Sequence, residues 1–189
     1  MDNGIISNDM HFQPAIPRLG SLAPAFEAET THGRLALEDY RGTWVVLFSH
    51  PADFTPVCTT EFIELARIAP ALKQRNTELL GLSIDSIYSH LAWVHTIRDK
   101  FGVEIPFPVI ADGNREVASL YGMIHPGESS TETSRCLFVI DDKGILRAMI
   151  YYPLTTGRNV DEIVRLVDAL RPPTGTRWRP RPTGSRATP

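Results

Sequence analysis

Sulfur is scarce in this chain. Its 189 residues hold two cysteines, Cys58 and Cys136. That is too few for a disulfide scaffold, and the two are too far apart for a C-x-x-C redox pair. In a reducing cytosol both are expected as free thiols. Long apolar runs are also lacking. Nothing approaches the roughly 20 residues of a membrane helix. The first residues, "MDNGIISNDMHFQP", show no basic stretch followed by an apolar one, so no secretory signal is expected and a cytoplasmic location is. The six histidines form no metal-binding pattern on paper. His90 and His95 are five apart, about 140° around a helix, where zinc ligands on one helix want a spacing of about four.

Acidic charge is missing from one end. The segment "RPPTGTRWRPRPTGSRATP" carries five basic residues and no acid, leaving 14 basic against 22 acidic residues elsewhere. A basic, proline-rich extension on an acidic body can attract nucleic acid. This one lacks the periodicity of a recognition helix, so no nucleic-acid partner is expected. The remaining composition, 42% hydrophobic and 22% charged, suits one globular domain with a real core.

The organisation is a polar leader over residues 1–17, a domain over 18–171, and a basic proline-rich tail over 172–189. "FEAETTHGRLAL" alternates on both sides of His32-Gly33, as a short hairpin does. "TWVVLFSH" and "ELLGLSID" are continuous apolar runs, expected of buried strands. Between them a helix is expected over about 55–75, with Phe62, Leu65, Ile68, Ala69 and Leu72 on one face. "SIYSHLAWVHTIRDKFG" reads as a helix ending at Gly102. A third strand, "PFPVIAD", and a short helix closed by Gly122 follow. After a loop, "RCLFVID" and "GILRAMIYY" form a hairpin through Asp142-Lys143-Gly144. "NVDEIVRLVDALR" is the last helix, stopped by Pro172-Pro173. The order predicts an α/β, thioredoxin-like fold: a central mixed sheet flanked by helices, mostly parallel, with an antiparallel addition at one side.

Chemistry concentrates in "HPADFTPVCTTEF", His50 to Phe62, where a buried strand hands over to a helix. With Thr55 as N-cap, Pro56 takes the first helical position, where its missing N–H costs nothing. Cys58 then takes the third. The Thr55 hydroxyl is expected to accept from the Cys58 N–H. Unpaired amides and the positive end of the helix dipole favour a thiolate there, and the thiolate is the nucleophile. A buried, inert cysteine at a helix start is the plainer reading. It leaves His50, Asp53 and the prolines Pro51 and Pro56 unexplained.

"PADFTPVCTTE" resembles the Pro-x3-Thr-x2-Cys motif of peroxiredoxins, and "SHPADFTPVCTTEF" is similar to the 1-Cys subfamily related to peroxiredoxin 6. "LSIDS…HLAW", "FPVIAD", "LYGMIHPGE" and "YYPLTTGRNVDEI" extend the likeness in the same order, over about residues 18–171. The resemblance implies a thiol-dependent peroxidase acting on hydrogen peroxide and organic hydroperoxides without metal, haem or flavin. Cys58 matches the peroxidatic cysteine, which becomes sulfenic acid. Thr55 matches the threonine that contacts the peroxide, and Pro51 the proline that shields the site from water. Arg135 matches the arginine that holds the thiolate and polarises the peroxide. Glu61 and Arg158 match the acid and base that brace it, and His50 a pocket histidine.

Cys136 follows Arg135 on a strand and so points to the opposite face. It is expected to be a core thiol, not a resolving one. The sulfenic acid is therefore expected to meet an external thiol such as glutathione or thioredoxin. A homodimer or higher homo-oligomer is implied, although the tail resembles only a shortened form of the arm that joins such dimers. Thr43 stands where some relatives carry a lipase serine, without the flanking glycines, so lipase activity is not expected. An oligomeric holdase chaperone on the same fold and a binding module with a silent cysteine are the alternatives.

Overall fold

The computed structural model describes residues 16–171. The leader through residue 15 and the tail over 172–189 lie outside the described residues. One seven-stranded sheet organises the rest, in the order β2-β1-β5-β4-β3-β6-β7. The strands are β1 (Glu27–Thr30), β2 (Gly33–Ala36), β3 (Trp44–Ser49), β4 (Thr77–Ser83), β5 (Val109–Ala111), β6 (Arg135–Ile140) and β7 (Leu146–Tyr152). The helices are α1 (Pro56–Lys73), α2 (Ile87–Phe101), α3 (Glu116–Leu120) and α4 (Val160–Leu170).

β3, β4 and β5 run parallel. Antiparallel strands flank them on both sides, not on one as the sequence suggested. β6 and β7 extend the sheet beyond β3. At the other edge the β1–β2 hairpin joins β5 through the single pair Thr30↔Ile110, aided by Thr31 N–H donating to the Val109 carbonyl at 3.1 Å. Alternation reveals a hairpin, but its docking edge is a long-range choice. β5 is shorter than "PFPVIAD" because Pro108 has no N–H to pair and Asp112 turns away to cap α3. Its carboxylate accepts from Val117 N–H at 3.1 Å and Ala118 N–H at 2.7 Å.

The sheet separates two apolar layers, as alternate side chains on a strand demand. Trp44, Val46 and Phe48 of β3 face α1, α2 and α4, together with Cys58, Phe62, Trp93 and Val167. Val45 and Leu47 face the other way, with Cys136, Phe138, Tyr121 and Ala118. Gly81 on β4 is part of the first layer's fit. A Cβ there would come within 3.2 Å of the Phe48 ring, which packs edge-on to Phe62 and Phe107. No described helix is long and apolar enough to cross a membrane.

Candidate active site

β3 ends at Ser49, and His50 N–H still pairs with the Leu82 carbonyl at 2.9 Å. The chain then turns sharply through Phe54, a non-glycine residue in the left-handed region (φ 59°). Such strain persists only where the surroundings impose it. Thr55 is extended and stands as N-cap, with Pro56 opening α1 and Cys58 in its first turn, wholly buried. The expected cap bond is not made. Thr55 Oγ1 instead donates to the Ala52 carbonyl at 3.1 Å, across the turn that Phe54 creates. The helix start has no side-chain cap, so no capping side chain takes up its first-turn N–H groups.

Three buried charged residues brace the sulfur from behind. Arg135 Nη1 lies 3.3 Å from Cys58 Sγ and donates to Glu61 Oε2 at 2.6 Å. Its Nε donates to the Leu154 carbonyl at 2.9 Å. Arg158 grips Glu61 with its Nε, its Nη2 and its own backbone N–H, at 3.1, 3.1 and 2.7 Å. Arg158 Nη1 also donates to the carbonyls of Ser49 and Cys136, at 2.8 and 2.9 Å, which ties α1 to β3 and β6. Burial pushes the Glu61 carboxyl up. The charge and hydrogen bonds of Arg158, joined by the charge of Arg135, outweigh this and hold it below the ordinary range.

A second buried cluster fixes the turn. Asp53 accepts from His50 Nε2 at 2.9 Å and approaches His90 Nδ1 at 2.8 and 3.0 Å. His90 Nε2 meets the Ile110 carbonyl at 3.0 Å, so this ring faces acceptors on both sides. Burial drives the Asp53 carboxyl up, but the hydrogen bonds and charges of both histidines leave it well below its usual value. Burial pushes the His50 imidazole down, against the pull of Asp53. His50 packs on Phe62 and Trp93, with ring centroids 4.8 and 5.1 Å away, and its Nδ1 has no partner. Pro51, also buried, directly follows it.

The ligand atoms of His50, Asp53 and His90 all lie within 4.8 Å of one another, close enough to hold a metal ion. The histidine spacing considered in the sequence pointed elsewhere. His90 finds its partners in the 50–53 turn, not in His95. Here the three groups are already engaged in hydrogen bonds, with Asp53 as the common acceptor.

All seven residues singled out in the sequence lie at this end of α1 or brace it. Cys136 does not. It is buried on the opposite layer, and burial pushes its thiol up to about 12. Sequence reasoning missed Asp53 and His90 as partners, and Leu154 as a carbonyl anchor. The first two stand within quoted motifs, "PADFTP" and "HLAW", which is the signal that could have found them.

The AhpC/TSA family profile matches residues 19–149. A peroxiredoxin of Aquifex aeolicus is 66% identical over 158 residues, covering 83% of this chain and 71% of its own. Among solved structures, a cysteine-to-serine mutant of peroxiredoxin 6 from Arenicola marina matches with a TM-score of 0.76 at 42% identity, over 82% of this chain and 73% of that one. A yeast mitochondrial 1-Cys peroxiredoxin, described with thiol resolution via glutathione/thioredoxin systems, matches with a TM-score of 0.76 at 44% identity, over 82% and 76%.

Proposed function

Because the chain belongs to the AhpC/TSA family of peroxiredoxins and is a thiol-dependent peroxidase, we propose that Cys58 is the residue that attacks the peroxide. The observation that carries this reading is the Arg135 contact with Cys58 Sγ at the uncapped start of α1.

The step is a displacement. The Cys58 thiolate attacks the hydroxyl oxygen of the peroxide, an S–O bond forms as the O–O bond breaks, and the other oxygen leaves as hydroxide or alkoxide, which takes a proton from solvent to give water or an alcohol. Cys58 becomes sulfenic acid. Negative charge moves from sulfur to the leaving oxygen, so donors fixed at both places stabilise the transition state. Arg135 supplies a charge that cannot be lost. Its Nη1 faces the sulfur, and among the described residues no protein group accepts from its Nη2, which can turn to the peroxide. Thr55 spends its hydroxyl hydrogen on Ala52 and keeps its lone pairs for the peroxide O–H. The uncapped amides of α1 complete the donor set. Glu61 and Arg158 hold Arg135 in place. Pro51 and His50 wall the site and exclude water.

A peroxide substrate and a thiol reductant are common ground for the family. We assign the reductant here to an external thiol such as glutathione or thioredoxin, because Cys136 lies across the sheet from Cys58. Both cysteines are free, which suits a reducing cytoplasm. β7 is the last strand of the sheet and carries half-buried Met149, Ile150, Tyr151 and Tyr152, a surface suited to pairing with a second copy. The peroxiredoxin names of its relatives favour peroxidase over chaperone.

Substitution tests the assignment. Cys58→Ser abolishes peroxide consumption, since a serine hydroxyl does not ionise near neutral pH. Loss of activity in a folded Cys136→Ser protein, with Cys58→Ser still active, contradicts it.

A further inference from the structure

Arg135 is anchored at two points besides the sulfur, and only one of them is built into the core. Nη1 is held by Glu61, itself buried and gripped by Arg158. Nε is held by the carbonyl of Leu154. Leu154 belongs to the link between β7 and α4, where Pro153 and residues 155–157 are exposed. A guanidinium is planar, and one anchor leaves it free to rotate. The Nε anchor is what sets the plane and aims Nη1 and Nη2.

An exposed link is a poor anchor unless something fixes it. Toward α4 it is fixed at Arg158, whose N–H is bound by Glu61. Within the link, Thr156 N–H reaches back to the Pro153 carbonyl at 3.1 Å. At Leu154 itself the bond comes from a different segment. Leu154 N–H donates to the carboxylate of Glu128 at 2.9 Å. Glu128 sits in the loop between α3 and β6, and its own N–H is tied to the His125 carbonyl at 2.8 Å. One residue thus receives Glu128 on its N–H and Arg135 on its carbonyl.

We propose that Glu128 is a positioning residue of the peroxidase site, acting through the backbone of Leu154 to fix the plane of Arg135. Glu128 touches neither the peroxide nor Cys58. It holds the carbonyl that orients the guanidinium, and the guanidinium orients the reacting groups. This rests on the reading of Cys58 and Arg135 given above. The needed property is an acceptor at this reach, not its charge, so glutamine can replace it.

Stopped-flow oxidation of the reduced, full chain by hydrogen peroxide tests the proposal, using Glu128→Ala and Glu128→Gln in wild-type and Arg135→Met backgrounds. Glu128→Ala is expected to slow Cys58 oxidation about fivefold, the size of one lost hydrogen bond. Glu128→Gln is expected to stay within about twofold of wild type, because its carbonyl still accepts from Leu154 N–H. In the Arg135→Met background, Glu128→Ala is expected to have no further effect, since the group it positions is gone. An unchanged rate for Glu128→Ala overturns the proposal. So does a glutamine variant as slow as alanine, or an undiminished alanine effect without Arg135. If wild-type Cys58 itself fails to react, the peroxidase assignment fails instead.

Discussion

Arg135 and Cys58 are 77 residues apart in sequence and meet at 3.3 Å, Nη1 to Sγ. The contact joins β6 to the first turn of α1 on the layer away from Cys136. On the proposed reading, this fixed buried charge acts twice: on the sulfur before reaction and on the peroxide during it. Arg135→Met is therefore expected to slow peroxide attack by about a hundredfold, as loss of a preorganised donor does. The defect should persist at a pH where the thiol is fully ionised. Stopped-flow rates across pH check this, and full recovery at high pH would remove the transition-state role.

Cys136 should behave as core. Burial pushes its thiol up to about 12, so it is a thiol, not a thiolate, near neutral pH. Iodoacetamide followed by mass spectrometry should label Cys58 in the folded chain and Cys136 only after unfolding. Cys136→Ser puts a hydroxyl among Phe138, Tyr121 and Leu47 and should cost about 1–3 kcal/mol in urea unfolding. Its rate of Cys58 oxidation should be unchanged.

Asp53 holds two buried histidines with one carboxylate. In Asp53→Asn the amide nitrogen cannot accept from His90, which loses its 2.8 Å partner, and the carboxylate charge between the two rings is gone. The turn that carries Pro51 and Thr55 then loses its anchor. A stability loss of about 3 kcal/mol is expected, as when one partner leaves a buried pair. Urea unfolding at pH 7 checks it. A wild-type midpoint would show that the cluster contributes nothing to the turn.

Glu61 gives acid sensitivity with a definite sign. Its folded carboxyl is held below the ordinary range despite burial, through Arg158 and Arg135. A depressed acid stabilises the fold above its unfolded value, about 4.3, and that contribution fades as pH falls below it. Glu61→Gln should therefore be less stable at pH 7, by about 3 kcal/mol, because two buried arginines lose their counter-charge. The gap to wild type should stay constant down to about pH 5 and close below about pH 4. Urea midpoints measured from pH 7 to pH 3 check this, and a gap that widens instead would contradict it.

Local order was readable in the sequence, and distant pairing was not. The strand, turn, Pro56 and Cys58 lie within one continuous stretch, so helix geometry alone placed the thiol in the first turn. Strand alternation placed Cys136 on the far layer. The Thr55 hydroxyl had two carbonyl or amide partners within reach, and the left-handed Phe54 decided for Ala52. The Asp53–His90 pair spans 37 residues and exists only because β3, β4 and α2 lie side by side. Arg135 was reachable through family resemblance alone, since no spacing rule relates it to Cys58. The hairpin β1–β2 was legible as a unit, but its place beside β5 rests on the Thr30–Ile110 pair and the bonds between Thr31 and Val109.

The central claim is that Cys58 reacts with peroxide and Cys136 does not resolve the product. The most direct measurement is stopped-flow mixing of the reduced chain with hydrogen peroxide, quenched and read by mass spectrometry. One oxidation, first order in peroxide, should place oxygen on Cys58. Excess peroxide should carry it on to sulfinic acid, which ordinary thiols do not reverse. An inert Cys58, or a disulfide between Cys58 and Cys136 within one chain, would contradict the account.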